Sequence, residues 1–143
     1  MRFYKYRMFI MSGIALIVVI GALNIMDSYA EENVTKQRLM GIWWTYNAEH
    51  VPWAIEFDEN GTFRMAHTYL RLQKNPTDKG RFQLDGTSIR LISDKDCKGS
   101  CKGLVGQYKV EFTKYGLLFL RQQKDPCSER KDVCNSLWMN TSR

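Results

Sequence analysis

The chain has 143 residues, 44% hydrophobic and 25% charged, with a formal net charge of +6. Beyond a leader segment that length leaves room for one domain and not two, with a modest core that cross-links would help. The basic residues from Arg64 to Lys102 are scattered among acids, which reads as an ordinary solvated surface and excludes a nucleic-acid footprint.

Residues 1–30 have the parts of an export signal. Arg2, Lys5 and Arg7 are a basic start, Phe9 to Met26 is an uncharged, mostly apolar run, and Ser28-Tyr29-Ala30 offers small residues before Glu31. As a helix the run would extend about 27 Å, close to a hydrocarbon core, so two readings stand: cleavage after Ala30, or a retained anchor through residues 9–26. Either way the charges place the rest of the chain outside: periplasm, cell surface or medium. Removing residues 1–30, with Arg2, Lys5, Arg7 and Asp27, lowers the net charge from +6 to +4. Residues 31–38 are a polar lead-in, and residues 39–143 form the folded domain.

From Gly41 onward the hydrophobic period is two, the signature of strands. Trp53, Ile55 and Phe57 alternate with Ala54, Glu56 and Asp58. Asn60-Gly61 predicts a type I′ hairpin turn, and Phe63, Met65 and His67 share one face of the return strand. The alternation slips at Tyr69-Leu70, which predicts a bulge or bend, and Asn75-Pro76-Thr77-Asp78 predicts a turn. Asp85-Gly86 marks a second hairpin and Lys114-Tyr115-Gly116 a third, with alternating Tyr108, Val110 and Phe112 between them. Asp125-Pro126 reads as an N-cap and first-turn proline before a short helix over Ser128 to Cys134, and Leu137-Trp138-Met139 as a last strand or plug. The fold class is all-β: an up-and-down antiparallel barrel of seven to eight strands with a short C-terminal helix. Closure is the economical way to remove two exposed edges.

The cysteines fall in two close pairs, Cys97 with Cys101 and Cys127 with Cys134. An even number in a small exported domain reads as disulfides. On a helix Cys127 and Cys134 lie ~10 Å apart, beyond the ~7 Å Cα reach of a bridge. Each is therefore expected to pair with Cys97 or Cys101, in one of two crossings. A zinc site is the rival reading, but the spacings are irregular for it.

Gly41-Ile42-Trp43 at the first strand, the meander of short hairpins and the late helix resemble the lipocalin-like (calycin) superfamily, especially its small bacterial exported members. The resemblance covers roughly Leu39 to Trp138. It implies that Trp43 packs across the closed end of the barrel under a late arginine, Arg121 or Arg130, through a cation–π contact. It also implies a binding rather than a catalytic role.

Trp53, Phe57, Phe63, Met65, His67, Tyr108 and Phe112 are the candidates to line an apolar ligand pocket inside the barrel. The competing reading is that these side chains fill a solid core. His67, with Met65, Met40 and His50, raises a soft-metal or haem pocket; the simpler reading is a core-edge histidine bonded to backbone or water. No catalytic triad, carboxylate pair or phosphate-binding loop is visible, so no enzyme and no cofactor are expected. The expected function is a non-enzymatic, exported, lipocalin-like protein binding a small apolar molecule. The alternative is an envelope protein-binding module, such as an inhibitor of a secreted hydrolase, binding through residues 31–38 or Ser93 to Gly103.

Overall fold

The computed structural model describes residues 35–141, in which eight strands follow one another around a closed antiparallel barrel. The expected export or anchor segment and residues 31–34 lie outside the described residues. The strands are β1 (Gly41–Tyr46), β2 (Pro52–Phe57), β3 (Thr62–Ala66), β4 (Asp78–Asp85), β5 (Ser88–Ser93), β6 (Val105–Phe112), β7 (Leu118–Lys124) and β8 (Leu137–Asn140). Each pairs with the next in sequence. The four-residue β8 closes the ring, setting Trp138 opposite Leu118 of β7 and Met139 opposite Trp44 of β1.

Period-two patterning decides which side chains go inward. Trp43, Ile55, Phe57, Phe63, Met65, Ile89, Leu91, Tyr108, Val110, Leu118, Leu120 and Trp138 all join one core cluster. Fully burying a side chain such as Phe57 is worth about 1.5–3 kcal/mol over leaving it exposed. Thr45 is the one polar side chain on the inner face of β1, and its hydroxyl donates to the Leu137 carbonyl at 2.7 Å, tying β1 to β8.

The turns depart from expectation in an instructive way. At the first hairpin only Gly61 has a positive φ, of 78°, where a type I′ turn would need two such residues. Asp58 N–H donates to Thr62, Gly61 N–H donates to Asp58, and the Asp58 carboxylate takes the Asn60 N–H at 2.9 Å. This is the three-residue loop that ends in a left-handed glycine, and the Asp58 side chain selects it. At the second hairpin Asp85 pairs with Ser88, so the central residues are Gly86 and Thr87. Gly86, with φ 55°, holds the first central position that a type II′ turn reserves for glycine.

The slip at Tyr69-Leu70 is not a bulge. β3 ends at Ala66 and the short helix Tyr69–Lys74 follows, with Leu72 buried against Ala54 and Ala66 on the outer face of β2 and β3. A second helix, Ser128–Cys134, forms where expected, but its N-cap is Cys127 rather than Asp125.

The two ends of the barrel are closed differently. One carries the tight turns between β2 and β3, β4 and β5, and β6 and β7. A helical turn at residues 35–39 leads into β1 at this end. The other carries the longer connections, including both helices and the Ser93 to Gly103 loop.

Candidate functional site

At the tight-turn end Trp43 is buried, and its indole N–H donates to the Leu39 carbonyl at 2.8 Å. Its ring lies 5.9 Å from Phe112. The arginine expected over Trp43 is neither Arg121 nor Arg130. Arg121 sits on the outer surface, bound to Glu111 through two 3.0 Å hydrogen bonds and near the Phe119 ring. The cation at this end is Arg38, 4.1 Å above the Phe112 ring, so the cap comes from the start of the domain. Phe112 therefore belongs to this cap rather than to a pocket.

At the opposite end Arg130 is completely buried. Its Nε and Nη2 hold both oxygens of Asp125 at 2.6 and 3.0 Å, and Nη1 reaches Asp78 at 2.9 Å and the Ser93 hydroxyl. Asp125 also accepts from the Tyr108 hydroxyl and, at 2.8 Å, from the Cys127 N–H. The carboxylate read as a helix cap is thus shared between the helix start and the guanidinium. Gly106 makes room for it, since a Cβ there would press on Asp125 and the Tyr108 ring. One guanidinium joins β4, β5, the segment after β7 and the late helix.

The two carboxyls respond oppositely to this setting. Burial works against ionised Asp125, but Arg130, Tyr108 and the Cys127 N–H outweigh it and hold its pKa below the usual value. For Asp78 burial wins over Ser93 and Arg130, and its pKa is raised. Asp125 therefore contributes stability that is present above the unfolded carboxyl value and lost as pH falls through its lower folded value. Asp78 has the opposite sign: the native state gains as pH falls from its raised folded value toward the unfolded one. Asp78→Asn should accordingly cost less than Asp125→Asn. Urea titrations between pH 3 and 7 check this: Asp78→Asn should remove the stability gain on mild acidification, and Asp125→Asn the loss at the acid end.

Of the two bridges expected between the cysteine pairs, the structure has one, Cys101–Cys127, with Cα atoms 5.0 Å apart. Cys97 and Cys134 are buried free thiols. Cys97 faces Asp78, which together with burial pushes its pKa up. Cys134 lies beside Tyr108, and burial pushes its pKa up to about 12. Asp78 and Arg130 bear on both thiols. Among the described residues no group of three or more His, Cys, Asp or Glu side chains is placed to hold a metal ion.

The residues proposed to line an interior pocket separate into two groups. Phe57, Phe63, Met65 and Tyr108 are packed into the core cluster. Trp53 belongs to the same cluster and, with His67, also borders an open groove of about 490 Å³ on the side of the barrel near the long-connection end. Ile42 and Trp44 of β1 and Pro52 and Ala54 of β2 form much of its surface, with Thr68, Tyr69 and Thr141 at its other edges. His67 lies just past the paired part of β3, and its ring centroid is 3.9 Å from that of Trp53. Trp53 is 4% exposed, yet among the described residues its Nε1 has no hydrogen-bond partner, and neither has the buried Nδ1 of His67. Ile42, Trp44 and Tyr69 were missed because the search followed the inward parity. The available signal was apolar Ile42, Trp44, Ala54 and Ala66 at outward positions, where an uncovered barrel carries polar residues.

Compared with known proteins, the chain matches no family model, no curated protein and no solved structure.

Proposed function

We propose that this chain is a non-enzymatic, exported, lipocalin-like barrel that binds a small apolar molecule. The observation that carries this reading is the groove beside β1 and β2, mostly apolar, aromatic-walled, and within the ~300–1,000 Å³ range of small-molecule sites. A few polar groups in an apolar lining are the usual composition of such sites, and Thr68, Tyr69 and Thr141 bring them to this one. The site differs from the one the sequence suggested: it is lateral, and the aromatic interior serves as core. The Cys101–Cys127 bridge suits export to an oxidising space, in keeping with the basic and apolar start of the chain.

The second reading, a protein-binding module, is favoured by one feature. Tyr46, Leu137 and Met139 are exposed on adjoining strands β1 and β8, next to the groove. The Ser93 to Gly103 loop is a poorer candidate for a flexible inhibitory element, because Cys101 and the Arg130 cluster fix it to the late helix. Native mass spectrometry of protein taken from its own envelope separates the two. A co-purified small molecule is the expected result. Ligand-free protein in stoichiometric complex with another chain would overturn the first reading in favour of the second.

A further inference from the structure

We propose that the groove takes a planar aromatic molecule carrying a hydrogen-bond acceptor, which turns the His67 ring away from Trp53 and accepts the Trp53 Nε1–H. This rests on the small-molecule reading above and specifies its chemistry. Buried indole N–H groups ordinarily find an acceptor. Trp43 does so at Leu39, whereas Trp53 does not, although it is as deeply buried. Trp138 Nε1 also lacks a partner, but Trp138 does not line the groove. The unpartnered donor at the groove is therefore specific to Trp53.

The group covering Trp53 is His67, with its ring tilted 48° to the indole. It lies beyond the last registered pair of β3, Ala66 with Ala54, so no ladder bond fixes its backbone to β2. Its Nδ1 has no partner to lose when the ring turns. His67 thus shuts Trp53 off from the groove, and it turns away without losing a hydrogen bond at Nδ1; the ligand then meets the indole at its edge, in the plane of the N–H, and stacks on other walls of the groove. Trp44 and Tyr69 supply aromatic faces there. Among the described residues the lining holds no Lys, Arg, Asp or Glu, so recognition there comes from stacking and the hydrogen bond rather than from charge pairing.

The test uses the full chain in lipid nanodiscs, with empty discs as the blank and three probes: naphthalene, 2-acetylnaphthalene and cyclohexyl methyl ketone. We expect 2-acetylnaphthalene to bind about tenfold tighter than naphthalene, the scale of one neutral hydrogen bond, and the ketone without an aromatic ring to bind weakest. The Trp53 indole N–H proton resonance should move with 2-acetylnaphthalene and not with naphthalene. Trp53→Phe should erase the preference while keeping naphthalene binding. If that variant does not fold, the wild-type N–H resonance decides the matter alone. Equal affinities for the two naphthalenes, with the N–H unmoved, overturn the acceptor while leaving a small-molecule site. A cyclohexyl ketone that binds as well as 2-acetylnaphthalene overturns planarity. If no probe perturbs the groove residues, the small-molecule reading itself falls.

Discussion

Arg130→Met should lower the stability of the barrel by about 3–5 kcal/mol, the cost of breaking a buried ion pair from one side. The side chain is fully buried, and Asp78 and Asp125 are almost so. Removing the guanidinium leaves two buried carboxyls without the cation they share, and takes the donor from Ser93 as well. Methionine keeps much of the volume, so the loss reports charge and hydrogen bonding rather than a cavity. The matched control is Arg130→Met with Asp78→Asn and Asp125→Asn. Replacing a whole buried network by neutral groups is far less damaging than orphaning part of it, so the triple variant should recover much of the loss. Urea unfolding of the three proteins at pH 7 provides the comparison. A single variant within about 1 kcal/mol of wild type would mean that the cluster contributes little to holding this end together.

Cys101→Ser should lower stability by about 2–5 kcal/mol. The bridge spans a sequence separation of 26 residues, for which the chain-entropy relation gives about 3.5 kcal/mol. Cys97→Ser and Cys134→Ser remove no cross-link and should cost less. Mass analysis after alkylation provides an independent check: under denaturing, non-reducing conditions two cysteines should be labelled, and after reduction four. In the native protein both thiols should react slowly, because they are buried and their raised pKa values keep them protonated at neutral pH. Four unlabelled cysteines in the denatured, unreduced chain would restore the two-bridge expectation.

The barrel was legible because its determinants are local. Alternation at Trp53, Ile55 and Phe57 fixes the face of a strand, and glycines at 61 and 86 mark the chain reversals. The exact turn types were not legible, since the Asp58 side chain and the register of Asp85 with Ser88 decide them. Arg130 stood out in the sequence for the wrong reason. Its partners come from positions 78, 93 and 125, a conjunction that exists only once β4, β5 and the late helix are assembled. The same holds for Cys97 and Cys134, whose spacing admits a bridge that the folded end does not form. For the groove, sequence parity puts Trp53 and His67 on one face, and their rings lie 3.9 Å apart. It did not reveal that the Tyr69–Lys74 helix covers only part of the apolar outer surface of β1 to β3, leaving Trp44 as a wall.

The brevity of β8 also bears on how the barrel yields to force. Two registered pairs join it to β1 and two to β7, against six between β1 and β2. β8 is therefore held by the two shortest ladders in the ring, whereas the segment from β4 to the late helix is clamped by the disulfide and the arginine. Tension applied through the start of the domain acts directly on β1 and should unzip it from β8 before disturbing the clamped half. The Thr141 bonds to the Ile42 carbonyl lie on that seam and at the margin of the groove. A pull on the chain that parts β1 from β8 would release one wall of the groove while most of the core stayed folded.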